Sequence, residues 1–386
     1  MTESPPAAAG AVLCVVGARP NFVKMAPILR ALAAHAPPLP AQLVHTGQHY
    51  DAAMNDRLFD DLGLPAPAVN LGVGSGSHAV QTAEVMRRFE PVLDASLPAC
   101  VLVVGDVNSS LACALVAAKK EVPVVHVEAG LRSFDRRMPE EINRVLIDRL
   151  ADRLYTTERS AERNLRGEGI DPERICFCGN VMIDALHAGL QRLRTAAGAP
   201  HPALSAFGPG PLAAGYGVVT LHRPANVDDP GALRHLVAVL DEVAARVPLV
   251  FVLHPRTRAR LEGFGLALPQ GPRRAVVPPQ GYLDMLALLA QAALVLTDSG
   301  GVQEETTALG VPCLTLRDST ERPITVEQGT NQVVGTDAHA ILHAVDEVLA
   351  GRGKRGRVPE FWDGHASQRL AADLAAWLPR RGEPLH

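Results

Sequence analysis

Leu296-Thr297-Asp298-Ser299-Gly300-Gly301-Val302-Gln303-Glu304-Glu305 is the stretch whose reading decides the fold. The apolar run before it, Ala292 to Leu296, has the length of a buried strand, and Val302 to Leu309 reads as a helix. Ser299, Gly300 and Gly301 fill the turn between them. A strand, a glycine turn and a helix N-terminus bring free backbone N–H groups and the positive end of a helix dipole to one point, which suits a phosphate. Glycine lets the backbone come close to such a ligand. Glu305 falls about one turn into the helix, where a carboxylate can accept ribose hydroxyls. The plainer reading is an ordinary strand–helix turn with an exposed Glu pair, because an isolated glycine turn is a weak signal.

The same pattern repeats outward from this stretch. Ala11 to Val16, Ala41 to His45, Val101 to Gly105, Val122 to Val127 and Arg153 to Thr157 read as strands in the first half. Val218 to Leu221, Leu249 to Leu253 and Cys313 to Leu316 do so in the second. Helical periodicity fills the intervals, as at Phe22 to Ala34, His78 to Ala95 and Gly231 to Ala245. Near-continuous apolar strands are expected where both faces of a parallel sheet are covered. The alternation predicts two doubly wound α/β domains of similar size. The first is expected over 11–180, joined by a C-terminal helix at 366–378, and the second over 181–365, with the hinge at Gly179-Asn180.

At 386 residues with 47% apolar residues, the chain is long enough for two domains with sizeable cores. A net charge of −4 argues against nucleic acid as the main partner. No run of eighteen apolar residues is present, so no membrane span is expected. Residues 1–10, rich in Pro and Ala with no basic segment, read as a disordered tail and not a signal peptide. The six scattered cysteines lack zinc spacing and read as free thiols in a reducing cytoplasm. His45 and His49, like His339 and His343, are four apart, but neither pair carries the Glu of an HExxH motif, so no metal is expected. Gly72-Val73-Gly74-Ser75-Gly76-Ser77 is not GxGxxG, so no dinucleotide cofactor is expected either.

The position of the polar residues is more informative. Arg19, Gln48, Asp106, Glu128, His222, His254, Ser299 and Arg317 each follow the C-terminal end of an expected strand. Ligands of open α/β sheets bind outside that edge, so the set points to a cleft between the two domains. Taken singly, each has a plainer role: Asp106 as an N-cap for the helix near Ser109, His222 as a satisfied core histidine. Arg19, Lys24, His222, Arg223 and Arg322 supply the positive charge that a diphosphate needs. Asp106, Glu128 and Glu140 supply carboxylates, which are a poor choice for holding an anion and make sense as acid/base groups acting on a neutral sugar.

The motifs GARPNFVKMAPI, TGQHYD, GDVNSSLA, HVEAGLRS, MPEEINR, LHRPANVD, LTDSGGVQEE and RDSTERPITVEQGTN, in this order from Ala11 onward, together resemble the non-hydrolysing UDP-N-acetylglucosamine 2-epimerases. The resemblance implies the GT-B architecture, two Rossmann-like domains with the site in the cleft between them. It implies interconversion of UDP-GlcNAc and UDP-ManNAc in the cytoplasm without cofactor or metal, by loss of UDP to a 2-acetamidoglucal and its re-addition, in a pathway supplying surface polysaccharide. Asp106, Glu128, Glu140 and His222 match the family's catalytic positions, with Glu140 and not Glu141 aligned to the first Glu of the PEE triplet. Arg19 and Lys24 match a basic pair near the diphosphate. Ser299, Gly300 and Gly301 match the phosphate turn, and Glu305 the ribose contact. Arg223, His254 and Arg322 are further expected substrate contacts. Met285 stands where some members place a Phe against the uracil, and Asn21 replaces the Glu of a GTRPE version, so Asn21 is assigned no role. Gln48 and His49 fall in a segment that would suit a second, activating UDP-GlcNAc. A homodimer is implied as well. Competing readings are an epimerase for a related UDP-sugar such as a diacetamido uronate, a hydrolysing epimerase, a GT-B glycosyltransferase and a catalytically dead nucleotide-sugar sensor.

Overall fold

The computed structural model describes residues 10–47, 52–195, 201–207, 215–268 and 270–378. Residues 1–9 of the tail expected over 1–10, and Gln48 and His49 of the TGQHYD motif, lie outside the described residues. The chain divides into two compact units, Met1–His187 with Glu360–His386, and Ala188–Pro359.

The first unit holds seven parallel strands: β1 (Val12–Val16), β2 (Ala41–His45), β3 (Val69–Asn70), β4 (Cys100–Val104), β5 (Val124–Ala129), β6 (Arg153–Thr156) and β7 (Ile175–Phe177). Their order is β3-β2-β1-β4-β5-β6-β7. Chain direction across the sheet therefore reverses between β1 and β4, the switch point at which such folds bind ligands. β1 and β4 are apolar and buried along their whole length, because helices cover both faces. Below them Phe89, Leu93, Val101, Val103, Ile147 and Leu154 share one core cluster.

The second unit holds β8 (Gly217–Thr220), β9 (Leu249–Val252), β10 (Arg274–Val277), β11 (Leu294–Thr297), β12 (Cys313–Thr315) and β13 (Asn331–Val333). Their order is β10-β9-β8-β11-β12-β13, all parallel, with the reversal between β8 and β11. Separate clusters pack on its two faces, one around Leu236, Leu240 and Leu296, the other around Val218, Val250 and Leu288.

The final segment returns to the first unit. Trp362 is buried and donates from its indole N–H to the Thr157 carbonyl at 3.2 Å. The helix Ala366–Trp377 packs on the helix Arg19–Ala34. Its N-terminus is held from outside: Asp184 accepts the Ala366 N–H at 3.1 Å, the Ser367 N–H at 2.7 Å and the Ser367 hydroxyl. A carboxylate there satisfies amides that the helix leaves open. Nearby, the rings of Phe177 and Phe361 stack at 4.9 Å between the guanidinium groups of Arg159 and Arg369. No described helix is long and apolar enough to cross a membrane.

Candidate active site

In the first unit the polar residues gather at the C-terminal edge of the sheet, on both sides of its switch point. The helix Arg19–Ala34 starts directly after β1, with Arg19 half-buried in its first turn. Asn21, assigned no role from sequence, is buried and joins two segments. Its Oδ1 accepts the Ala18 N–H at 3.0 Å, and its Nδ2 donates to the Val104 carbonyl at 2.7 Å. One turn further on, Lys24, expected as a basic partner of the diphosphate, donates from Nζ to Glu128 Oε2 in a buried ion pair.

Glu128 owes its aim to the backbone. The β5–β6 register shifts between Val127 and Ala129, and Glu128 sits in that irregularity with φ +71°. A bulge turns a side chain out of the strand's alternation. A left-handed non-glycine residue costs about 1–3 kcal/mol and persists only where its surroundings enforce it. Gly105, with φ +64°, makes the adjacent turn after β4; a Cβ there would lie 3.4 Å from Glu128 Oε2.

Asp106 follows that turn. Val107, not Asp106, holds the N-cap position of the helix Asn108–Lys119, which corrects the capping alternative. Asp106 instead accepts from Arg144, whose Nε lies 3.1 Å from Oδ2 and whose Nη2 reaches the same oxygen. Asn143 donates to the Asp106 carbonyl at 2.8 Å. Both come from the helix Pro139–Leu150, which carries the PEE triplet in its first turn. Its two glutamates are placed differently. Glu141 is buried and fully engaged, accepting from Ser133 N and Oγ and from Phe134 N, all at 2.9 Å, and from Arg144 at 2.6 Å. Glu140 is half-buried.

In the second unit the equivalent edge lies between β8 and β11. Their side-by-side register sets Thr220 against Thr297, and the two hydroxyls bond at 2.6 Å. Just beyond them, His222, two residues after Thr220, meets Asp298, one after Thr297: His222 Nδ1 lies 2.9 Å from Asp298 Oδ1. Asp298 is wholly buried and also accepts the His222 and Arg223 N–H groups and Asn226 Nδ2. Burial pushes its pKa up, but the His222 ring and these amides outweigh burial and hold the carboxyl below its ordinary value. The carboxylate orients the imidazole through Nδ1, and the side chain is 34% exposed. Sequence reading passed over Asp298. Its signal was an acid at a strand end, but its meaning depends on β8 lying beside β11.

His254 caps the helix Pro255–Gly263, and its ring lies 5.2 Å from that of His222. Ser299 is the N-cap residue of the helix Gly300–Leu309, yet its side chain makes no capping bond. A Cβ at Gly300 would fall 2.6 Å from Glu321 Oε1, so a larger residue there would displace that carboxylate. Gly301 and buried Glu305 follow on the same helix. Glu321 is surrounded by Arg322, Arg317 and Arg223. Burial raises its pKa, but their charges prevail and hold the carboxyl well below the usual range. Arg223 and Arg317 lie 3.4 and 2.8 Å from it, and Arg322 reaches Glu304 at 3.1 Å. Three guanidinium groups, of Arg223, Arg317 and Arg322, thus cluster with Glu304 and Glu321 beside the Ser299 turn, and guanidinium groups are suited to an anion. Met285 lies on the helix Tyr282–Ala290, half-buried against a core cluster.

A family model for UDP-N-acetylglucosamine 2-epimerase matches residues 31–375. The UDP-N-acetylglucosamine 2-epimerase of Methanocaldococcus jannaschii is 41% identical over 93% of this chain and 97% of that protein. The UDP-2,3-diacetamido-2,3-dideoxy-D-glucuronate 2-epimerase of Pseudomonas aeruginosa is 40% identical over 94% and 99%. The crystal structure of the M. jannaschii enzyme in complex with UDP-GlcNAc and UDP superposes with a TM-score of 0.85, at 40% identity over 95% of this chain and 99% of that one. The Neisseria meningitidis UDP-GlcNAc 2-epimerase bound to UDP-GlcNAc gives 0.84 at 28% identity, over 95% and 100%. The architecture shared with these structures is the two-domain GT-B type.

Proposed function

Because the chain belongs to the UDP-N-acetylglucosamine 2-epimerase family, we propose that this epimerase interconverts UDP-GlcNAc and UDP-ManNAc by elimination and re-addition of UDP. The C2 hydrogen of the sugar is not next to a carbonyl and resists direct removal. As the C1–O bond to UDP breaks, C1 gains positive charge and C2–H becomes acidic. One carboxylate takes the C2 proton, the C–H electrons form the C1=C2 double bond, and UDP departs with the C1–O pair. The resulting 2-acetamidoglucal is protonated at C2 from the opposite face by a second carboxyl, and UDP re-adds at C1. Two acid/base groups and a tightly held leaving group are the minimum requirement.

The single observation that carries this reading is Glu128, turned out of β5 by a strained bulge and paired with buried Lys24. The Lys24 ammonium favours the carboxylate form of Glu128 that a base requires; Asp106 and Glu140 complete the proposed set. In the second unit, His222 on Asp298 and the Ser299-Gly300-Gly301 turn take up the negative charge of departing UDP. Arg19, Arg223, His254, Glu305, Arg322 and Met285 hold the rest of the nucleotide.

The test is proton NMR of purified protein with UDP-GlcNAc in D2O. A manno anomeric signal with deuterium at C2 is expected; absence of UDP-ManNAc removes the reading. The P. aeruginosa relative, as similar as the M. jannaschii one, favours a second substrate: UDP-2,3-diacetamido-2,3-dideoxyglucuronate, assayed in parallel. Exposed Val80, Ile142 and Leu146 lie on the helices His78–Ser96 and Pro139–Leu150, which both pack on the helix Asn108–Lys119, and we assign them to the face that meets a second copy in a homodimer, with Ile142→Glu expected to yield monomers in light scattering. Activation by a second UDP-GlcNAc would appear as reverse turnover of UDP-ManNAc that starts only when UDP-GlcNAc is added.

A further inference from the structure

His126 lies two residues before Glu128 on β5 and is completely buried. Its Nδ1 is 2.7 Å from Asp148 Oδ1, and its Nε2 is 3.1 Å from the Gly105 carbonyl. A carboxylate and a carbonyl only accept, so a neutral ring would set a bare nitrogen lone pair against an oxygen. A ring that donates from both nitrogens satisfies both oxygens, and such a ring is an imidazolium. The surroundings balance its charge. Asp148, also fully buried, accepts the Gly130 N–H at 3.1 Å and lies 2.7 Å from Arg132. Arg132 in turn forms a two-bond pair with Glu168, both at 2.7 Å. Two cations thus meet two anions, as a buried ion network requires.

The network touches every element that bears a proposed acid/base carboxylate. His126 belongs to the strand of Glu128. Gly105, whose carbonyl it holds, immediately precedes Asp106. Asp148 belongs to the helix that begins with Glu140. The network acts on these carboxylates through the backbone and the elements that carry them. We propose that the His126 imidazolium with Asp148 is the positioning hub that sets the spacing of Asp106, Glu128 and Glu140. The hub rests on the acid/base roles read above for those three groups.

The test combines two measurements on the full chain. Side-chain 15N NMR of the wild type should find protons on both His126 ring nitrogens at pH 8. His126→Asn should lower kcat about 100-fold, the loss that a misplacement of about 1 Å produces, while KM and the affinity for UDP change less than about threefold. A neutral His126 ring, or a folded His126→Asn variant with wild-type kcat, overturns the hub. So does a variant whose loss is only in melting temperature. If His126→Asn does not fold, Asp148→Asn, of equal size but uncharged, is read for the same kcat loss and the wild-type spectrum decides the charge. A wild type that makes no UDP-ManNAc refutes the reaction, a result distinct from a neutral ring in an active wild type, which refutes the hub alone.

Discussion

The two units each place a histidine on a buried aspartate at the switch-point edge of a parallel sheet, and the two pairs differ in what the second ring nitrogen meets. His126 on Asp148 is closed on both sides, with Nε2 spent on the Gly105 carbonyl. His222 on Asp298 is closed on one side only, and a third of its side chain is exposed. The same two residue types therefore do opposite work. With both nitrogens tied, the ring fixes backbone and can exchange no proton with a substrate. With one nitrogen tied, the ring is oriented and its other nitrogen can serve a reacting group.

This contrast breaks if the open pair is not the chemical one. His222→Asn should lower kcat by about 10²- to 10⁴-fold, with a melting temperature close to that of the wild type, since the ring is not part of the core. Unchanged turnover would reduce the pair to a structural one. The contrast sharpens on stability. Asp148→Ala strands a sealed cation and Arg132 and should cost about 3–5 kcal/mol in denaturant unfolding. Asp298→Ala, whose histidine can reach water, should cost less, about 1–3 kcal/mol for the amides left unpaired. A reversed order would show that exposure does not set the difference.

A smaller effect follows from the depressed pKa of Asp298. Its folded value lies below the unfolded value of about 3.9, so ionised Asp298 stabilises the protein above that pH. The contribution shrinks as pH falls toward the folded value. The stability difference between wild type and Asp298→Asn should be constant near neutrality and narrow below about pH 4; acid titration followed by circular dichroism measures it. The smallest effect is expected at Ser299→Ala, whose hydroxyl is not used for capping. It should weaken UDP binding about 2- to 10-fold in calorimetry, the worth of one hydrogen bond.

Much of the fold was legible because parallel strands covered on both faces are apolar throughout, as in Val12–Val16 and Cys100–Val104. The candidate site was expected as residue types after strand ends, with Glu140 chosen from the PEE triplet; the structure shows Glu141 clamped by Ser133, Phe134 and Arg144. Partners were not legible. Asp298 stood in the opening motif, but only the adjacency of β8 and β11 joins it to His222, 76 residues earlier in sequence. Arg144 and Asp106 are 38 residues apart and meet because a helix returns over the end of β4. Lys24 reads as a phosphate ligand from its charge alone; its contact with Glu128 needs the bulge that no local pattern announces. Strand order and local backbone irregularity are collective properties, and spacing along the chain does not encode them.

The return of the last helix to the first unit has a consequence for synthesis. Asp184 awaits the amides of Ala366 and Ser367, and Thr157 awaits the Trp362 indole. On the ribosome, the half that is translated first therefore finishes last: the whole of 188–359 must emerge before its missing helix can dock. Until then the face of the helix Arg19–Ala34 that this segment covers stays bare, an apolar surface that a chaperone would be expected to shield.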